Sequence, residues 1–307
     1  MAAIPGAAAI ALWGGYRRAV HELRSDQATP LHLPGLIRTL PTDWGQLSYR
    51  YVAGSNPGPA LVLVHGWGQS ADSVWWQLIR LTDRTVIAVD LPGHGHSIMQ
   101  GRFTFAVAAR AVSHAIAGAQ LNRPILVGHS MGGPVALTVF RQSERRQFTG
   151  FVAIATSAYW VRPRHQVMMA AAPYLLAPKS PIVIGAMRAE AKLDPDRAAQ
   201  VELEYAIRPT RKVLAATAAE LRRFDARTWK DLSIPHGVWM VTAEDRVVSP
   251  HDQRASARHF GIPTVDLASD HPAAMRAPTE IVEIIERSSG AWTEQPPEPN
   301  ASVLTLS

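Results

Sequence analysis

Residues 128–133 of this 307-residue chain read GHSMGG and directly follow the apolar run ILV at 125–127. The pattern G-x-S-x-G, placed between a strand and a helix, indicates a tight turn that exposes the serine hydroxyl. Small residues flank such a turn because larger side chains would clash in so sharp a bend. A helical stretch at 134–142 completes the context. The sequence therefore predicts that Ser130 is a nucleophile at the tip of this turn.

Several other apolar runs have the composition of strands that are buried on both faces. They lie at residues 61–64, 85–89, 151–154 and 237–241. Helical patterns, such as the one at 105–119, separate these runs. This alternation predicts an α/β fold with a mostly parallel central sheet flanked by helices. In such a fold, ligands bind beyond the carboxyl ends of the strands, where Ser130 would lie.

The alternation stops between residues 157 and 231, where helical segments are interrupted by prolines. This segment contains 13 Lys and Arg against 8 Asp and Glu, which gives it a net charge of +5. Its position between two sheet strands predicts an inserted helical cap over the site. The α/β core would then comprise residues 45–156 and 232–288, after an N-terminal extension at 1–44. A proline-rich disordered tail is expected at 289–307.

A serine nucleophile needs a base, usually a histidine that a carboxylate orients. On this type of sheet the expected chain order is serine, acid, histidine. Asp245 follows the strand run at 237–241, and His271 follows the short apolar run at 264–267. We therefore predict that Asp245 is the acid and His271 is the base.

Neighbouring residues offer alternatives for both roles. Glu244 adjoins Asp245 and could be the acid. Asp270 is a second alternative acid, but it adjoins His271 in the chain, and the side chains of adjacent residues rarely point at each other. His251 and His259 also follow the acid in the chain. Both fall at the start of, or inside, a predicted helix and not after a strand.

A serine-dependent acyl transfer also needs two backbone N–H groups that bind the oxyanion. Met131 follows the nucleophile at the start of a helix, whose dipole favours negative charge. The second donor is expected from the loop after an early strand, and we assign it to Trp67. We further predict a substrate pocket lined by Trp67, His129, Tyr159 and Trp160.

Composition excludes several other functions. The formal charge is +6 with 27 Arg and 4 Lys, but no basic run alternates with aromatic residues, so nucleic acid is not an expected partner. The chain has no cysteine, which removes disulfides and thiolate ligands and fits a cytoplasmic protein. No motif indicates a metal or an organic cofactor.

The N-terminus leaves a membrane association open. The first 16 residues carry no charged side chain, and Arg17 and Arg18 follow. This stretch is short for a spanning helix and lacks the leading basic residues of a secretory signal. We expect peripheral membrane contact, if any, through this end or through the basic cap.

Together these motifs resemble the α/β-hydrolase family, in its serine carboxylesterase and lipase branch with a helical cap. The resemblance extends over roughly residues 47–287. Its marks are HGWG at 65–68, DLPGHGHS at 90–97, the turn around Ser130, and the residues Asp245 and His271. One departure is Asp270, where the family often has glycine.

This resemblance implies a serine hydrolase that cleaves a small-molecule carboxylic ester, with an apolar acyl or aryl part, through an acyl-serine intermediate. Two alternatives remain. The same triad could serve carbon–carbon bond hydrolysis, thioester hydrolysis or cofactor-free perhydrolysis. The fold could also be a binding protein without activity.

Overall fold

The computed structural model describes residues 33–144, 147–176, 209–229, 232, 234 and 236–294. Their strands form a single mixed sheet. In chain order the strands are β1 (Leu36–Thr42), β2 (Gly45–Val52), β3 (Asn56–Val64), β4 (Arg84–Asp90), β5 (Ile98–Met99), β6 (Ile125–His129), β7 (Gly150–Ile154), β8 (Gly237–Thr242) and β9 (Thr264–Leu267).

The sheet has the order β1-β2-β4-β3-β6-β7-β8-β9, and β5 pairs with β2. From β4 to β9 every neighbouring pair is parallel, whereas β1, β2 and β5 run antiparallel to their neighbours. The carboxyl ends of β6, β8 and β9 therefore lie at one edge of the sheet. This edge is where the three predicted catalytic residues follow their strands.

Helices cover both faces of the sheet. They are α1 (Ala71–Leu81), α2 (Phe105–Gly118), α3 (Gly132–Gln142), α4 (Pro163–Leu175), α5 (Arg211–Arg223), α6 (Pro250–His259), α7 (Ala273–Arg276) and α8 (Pro278–Glu294).

Alternate residues of β3 show why its apolar run has no polar positions. Val62 and Val64 pack into a core that includes α2 and α3, whereas Leu61 and Leu63 pack into a second core that includes α1 and α8. All four side chains are fully buried. Because successive side chains point to opposite faces, both sets of positions must be apolar. The predicted α/β architecture, a mostly parallel central sheet flanked by helices, is confirmed.

Two predicted boundaries are corrected. The sheet begins at Leu36, since β1 pairs with β2 over its whole length, so residues 36–44 are not part of an N-terminal extension. At the other end, α8 continues to Glu294, so residues 289–294 are helical and not a disordered tail. Residues 1–32 and 295–307 lie outside the described residues.

Two helices, α4 and α5, lie within the segment predicted to form the cap. The side-chain amide of Gln166 in α4 donates to the carbonyl oxygen of Arg222 in α5 at 2.7 Å. The guanidinium of Arg211 lies 5.6 Å from the ring centroid of Tyr174, which joins the other ends of the two helices. Residues 177–208 of this segment lie outside the described residues, so the cap as a whole stays a prediction.

None of the helices described here is both long and apolar enough to cross a bilayer.

Candidate active site

Ser130 occupies the turn between β6 and α3 in a conformation that few side chains adopt. Its φ is +52°, in the left-handed region. Three hydrogen bonds hold it there: its N–H donates to the carbonyl of Ile154 at 3.0 Å, and its carbonyl accepts from Thr156 Oγ1 at 2.6 Å and from the Gly133 N–H at 3.0 Å. Such strain persists only where the surroundings enforce it, and it is typical of functional sites.

The glycines around Ser130 are required by close backbone approaches. A Cβ on Gly132 would lie 2.1 Å from the carbonyl oxygen of Val64 in β3. A Cβ on Gly128 would lie 2.6 Å from the carbonyl oxygen of Gly132. Both distances are shorter than any van der Waals contact, so the turn can form only with hydrogen at these positions.

The structure brings Ser130, His271 and Asp245 together. His271 Nε2 lies 2.9 Å from Ser130 Oγ, and His271 Nδ1 lies 2.9 Å from Asp245 Oδ2. Ser130 lies more than 100 positions before the other two residues, which are 26 positions apart, and the three follow three different strands. Their order and contacts have the geometry of a nucleophile, a base and an orienting carboxylate.

The carboxylate of Asp245 is fully enclosed and accepts hydrogen bonds on both oxygens. Oδ1 accepts from the N–H groups of Val247 at 2.8 Å and Val248 at 2.9 Å. Oδ2 accepts from Thr242 Oγ1 at 2.9 Å and Gln253 Nε2 at 3.2 Å, besides its contact with His271.

Burial tends to raise the pKa of Asp245, but the neighbouring His271 and these hydrogen bonds outweigh it and lower the pKa below its usual value. Asp245 is therefore ionised at neutral pH. An ionised acceptor at this position favours a proton on His271 Nδ1, which leaves Nε2 free to accept the serine proton.

The alternative acids and bases lie elsewhere. Glu244 is exposed, and Asp270 forms an ion pair with Arg276. His251 has a side chain that is 74% exposed at the start of α6, and His259 is exposed at the end of the same helix. None of the four contacts Ser130.

The loop after β3 lies against the serine turn. A Cβ on Gly66 would be 3.1 Å from Ser130 Cβ, so Trp67, the next residue, begins beside the nucleophile. Neither the Trp67 N–H nor the Met131 N–H donates to an acceptor among the described residues. These are the two groups predicted to bind the oxyanion, and that role stays a prediction. The Trp67 ring is also tied to α5, since its Nε1 donates to the Leu214 carbonyl at 3.1 Å.

The residues predicted to line the pocket differ in exposure. Trp67 is partly exposed, whereas His129, Tyr159 and Trp160 are 1%, 3% and 1% exposed. Tyr159 donates its hydroxyl to Asp252 at 2.8 Å, and the Trp160 ring packs on that of His165. Ser130 itself is only 5% exposed, so this burial does not decide the question, and the lining role of all four residues stays a prediction.

Sequence reasoning missed several residues that support the site. Thr156 fixes the serine turn, and Thr242 and Gln253 bind Asp245. Gln69 accepts from the Gly66 N–H at 2.9 Å and contacts His129. No motif marks these positions. Thr156 and Gln69 meet Ser130 and His129 from 26 and 60 positions away, and Thr242 and Gln253 reach Asp245 only because of how the chain folds after β8.

No group of three or more His, Asp or Glu side chains suited to a metal ion occurs in the part of the chain that the structure describes. The buried histidines near the site are paired with protein groups instead. His65 Nε2 accepts from the Leu91 N–H at 3.1 Å, and its ring packs 5.2 Å from that of His94. Burial lowers the pKa of His94 to about 4, so this imidazole is neutral at pH 7.

The chain belongs to the alpha/beta hydrolase family, whose model matches residues 61–284. Among characterised relatives, it is 37% identical over 114 residues to the sn-1-specific diacylglycerol lipase ABHD11 of Xenopus tropicalis, which covers 36% of this chain and 35% of that protein. It is also 40% identical over 96 residues to the pimeloyl-[acyl-carrier protein] methyl ester esterase of Methylococcus capsulatus, which covers 30% of this chain and 35% of the esterase. The chain thus spans about a third of the length of these relatives.

Solved structures share the fold over a larger part of the chain. A hydrolase from Pseudomonas aeruginosa PA01 superposes with a TM-score of 0.67 at 21% identity, covering 82% of this chain and 98% of that one. The esterase RhEst1 from Rhodococcus sp. ECU1013 gives a TM-score of 0.66 at 22% identity, with coverages of 83% and 99%. At these identities the likeness concerns the fold alone.

Proposed function

We propose that this protein hydrolyses a carboxylic ester through an acyl-Ser130 intermediate. The observation that carries the proposal is the pair of 2.9 Å contacts that join Ser130 Oγ to His271 Nε2 and His271 Nδ1 to Asp245 Oδ2. A serine hydroxyl is a weak nucleophile unless a base removes its proton as it attacks, and this arrangement supplies the base.

In the first half-reaction, Ser130 Oγ forms a bond to the ester carbonyl carbon while its proton moves to His271 Nε2. The carbonyl oxygen becomes an oxyanion, to which the N–H groups of Trp67 and Met131 would donate. Collapse of this intermediate breaks the bond to the alkoxy oxygen. The imidazolium of His271 then returns the proton to the leaving alcohol, and the acyl group stays on Ser130.

In the second half-reaction, water replaces the alcohol. His271 Nε2 removes one proton as the water oxygen attacks the acyl carbon. The same proton then goes to Ser130 Oγ when the acyl–serine bond breaks, which releases the carboxylic acid. Throughout, Asp245 stays ionised and holds the imidazole in the tautomer that presents a bare Nε2 to the serine.

The relatives support ester chemistry and an acyl-bearing substrate. The two described above are named as a lipase and a methyl ester esterase. In this chain, the partly exposed Trp67 beside Ser130 offers an aromatic surface to an apolar group. We therefore propose an ester with an apolar acyl or aryl part as the substrate class.

A series of p-nitrophenyl esters, from acetate to dodecanoate, tests this proposal together with a fluorophosphonate probe. Wild-type protein should release p-nitrophenol and be labelled by the probe, whereas Ser130→Ala should do neither. Absence of turnover at every chain length would refute ester hydrolysis. Turnover of thioesters or perhydrolysis products in place of esters would assign the triad to another reaction. Absence of labelling would leave only a binding role.

We also propose that the cap contacts anionic membranes peripherally. The outward face of α4 carries an apolar stripe, Pro163, Val167, Ala170 and Tyr174, of which Val167 is 69% and Tyr174 66% exposed. Residues 157–176 and 209–229 contain seven Lys and Arg and two Asp and Glu, a net charge of +5, which becomes +4 when Asp252, the ion-pair partner of Arg162 and Arg164, is included. Apolar side chains bordered by basic ones favour an anionic lipid surface.

Co-sedimentation with phosphatidylserine-containing vesicles tests this contact. Binding should weaken at high salt and in the double variant Val167→Ser, Tyr174→Ser, while Ile98→Ser, an exposed residue of β5, should bind like the wild type. Equal binding to neutral phosphatidylcholine vesicles would contradict the electrostatic part. Residues 1–16, the other predicted contact, lie outside the described residues.

A further inference from the structure

His129 lies directly before the nucleophile at the end of β6, and its imidazole joins two loops of the site. Nε2 lies 2.9 Å from the carbonyl oxygen of His271, in the loop that holds the base. Nδ1 lies 3.2 Å from Oε1 of Gln69, in the loop that precedes α1. The same Oε1 accepts from the Gly66 N–H at 2.9 Å, next to the expected oxyanion donor Trp67. His129 thus lies between the loop that holds His271, here called the base loop, and the loop that holds Gly66, Trp67 and Gln69, here called the oxyanion loop.

The state of the imidazole follows from its surroundings. Only 1% of His129 is exposed, and burial, followed by the nearby His271, lowers its pKa to about 4. A neutral imidazole carries a single N–H, yet both ring nitrogens of His129 face oxygen acceptors. Among the described residues, His129 is the group that contacts the His271 carbonyl, and this contact is the shorter of the two. The proton therefore belongs on Nε2.

With Nε2 donating, Nδ1 presents a lone pair to Gln69. The Gln69 amide then has two competing partners, because its oxygen suits the Gly66 N–H and its nitrogen would suit His129 Nδ1. One amide orientation cannot satisfy both. With Oε1 accepting from Gly66, the contact between Nδ1 and Oε1 joins two acceptors and is not a hydrogen bond, so the hydrogen bond of His129 is the one to the His271 carbonyl.

The packing around His129 leaves the imidazole little freedom. The Trp75 ring of α1 meets it edge-on, with centroids 6.2 Å apart, and a Cβ on Gly66 would lie 3.2 Å from its Nδ1. The centroid of the His271 ring lies 5.5 Å from that of His129. A donor fixed in this way determines where the backbone of His271 sits, and hence where its Nε2 points.

We propose that His129 is a positioning residue, which holds the base loop through an Nε2–H hydrogen bond to the His271 carbonyl and so aims His271 at Ser130. This inference rests on the proposed function, since the base is the one assigned to ester hydrolysis. In this role His129 acts through His271 and not on the reacting atoms. Its effect is on the alignment of the base, so it should influence the rate of acylation and leave ground-state binding of the ester unchanged.

Two substitutions separate the hydrogen bond from the packing. His129→Phe keeps a planar ring against Trp75 but has no donor. His129→Gln places an amide nitrogen near the position of Nε2 and can restore the donor. The matched control is His114→Phe, at an exposed histidine of α2 far from the site. If His129→Phe does not fold by circular dichroism, His129→Asn replaces it, because its amide reaches only as far as Nδ1.

In p-nitrophenyl ester assays, His129→Phe should lower kcat by about 10- to 100-fold, the range expected when a buried acceptor loses its donor, with KM within about twofold of wild type. Fluorophosphonate labelling of Ser130 should slow by a similar factor. His129→Gln should recover most of both rates. Wild-type rates in His129→Phe, or equal losses in the folded Phe and Gln variants, would overturn the proposal.

A proton NMR measurement keeps the outcome separate from that of the proposed function. The His271 Nδ1–H, bonded to the Asp245 carboxylate, should give a far-downfield resonance in the wild type that persists in His129→Gln. It should shift or broaden in His129→Phe. If the wild type hydrolyses no ester, the catalytic assignment fails, and this resonance still decides the positioning role. An unchanged resonance in His129→Phe would refute it.

Discussion

Replacing Asp245 with asparagine tests the orientation of the base most directly. The amide has one acceptor and one donor end, whereas the carboxylate accepts on both oxygens. If the amide nitrogen faced the N–H groups of Val247 and Val248, two donors that cannot rotate would oppose it. The nitrogen must therefore face His271, in place of the oxygen that is now 2.9 Å from Nδ1.

That orientation imposes the wrong tautomer on the base. An amide N–H directed at Nδ1 requires a lone pair there, so the imidazole proton moves to Nε2, where it faces Ser130 Oγ. A protonated Nε2 cannot accept the serine proton. In a serine hydrolase of this type we expect kcat to fall about 10⁴-fold, which corresponds to about 5.5 kcal/mol in the barrier.

The fold should tolerate this substitution. Gln253 Nε2 would lose its 3.2 Å contact to Oδ2, but it keeps acceptors in Thr242 Oγ1 and the Val248 carbonyl, each at 2.8 Å. The Thr242 hydroxyl, which now donates to Oδ2 at 2.9 Å, can turn and accept from the amide nitrogen instead. We expect the free energy of unfolding to change by about 1 kcal/mol or less.

The assay is kcat for p-nitrophenyl acetate, with urea unfolding measured on the same preparation. Glu244→Gln, at the exposed neighbouring carboxylate, is the matched control and should keep kcat within about twofold of the wild type. A folded Asp245→Asn enzyme that retains a tenth or more of the wild-type kcat would refute the tautomer argument. An equal loss in Glu244→Gln would show that the acid had been assigned to the wrong residue.

Three further predictions concern stability and the oxyanion loop. Gly132→Ala should destabilise the protein by about 3 kcal/mol or more in urea unfolding, because the added Cβ would lie 2.1 Å from a β3 carbonyl oxygen. In the control Gly290→Ala, in α8, the added Cβ would have no neighbouring group within 4 Å, so this variant should be neutral or stabilising. Equal losses of stability in the two variants would contradict the prediction. Because the pKa of Asp245 is lowered in the folded state, ionisation of its carboxyl stabilises the fold above its usual pKa of about 4, and this stabilisation is lost as the pH falls through the folded pKa. The difference in unfolding free energy between wild type and Asp245→Asn should therefore shrink as the pH falls below about 4. A difference that stays constant down to pH 2 would contradict the prediction. Trp67→Phe removes the indole N–H that donates to the α5 backbone at 3.1 Å but keeps the backbone N–H predicted to bind the oxyanion. The rate of p-nitrophenyl acetate hydrolysis should therefore fall less than tenfold. A loss as large as that of Ser130→Ala would give the indole itself a catalytic role.

Much of the fold was predictable because local patterns and global burial agree. Val62 and Val64 face one core and Leu61 and Leu63 face the other, so an uninterrupted apolar run could only be a central strand. The β1 strand escaped detection for the opposite reason. It lies at the sheet edge with mostly exposed side chains, and its run LIRTLPT lacks the continuous apolar signal of the central strands.

The partners of Tyr159 and Trp160 could not be predicted from the sequence. The buried Asp252 accepts a hydrogen bond from the Tyr159 hydroxyl, and the His165 ring packs on that of Trp160. Nothing in the order of residues reveals that these partners, one of them 93 positions away, occupy the same space.

The sequence by itself determined the strand–turn–helix around Ser130 and the order of nucleophile, acid and base, because each depends on residues within a few positions of one another or on simple succession along the chain. Only the tertiary structure decided that Asp245 and not Glu244 meets His271, and that His129 bridges two loops. Those choices depend on distances of about 3 Å between groups on separate strands. Such distances are set by the packing of the whole sheet and its helices, which no short stretch of the chain encodes.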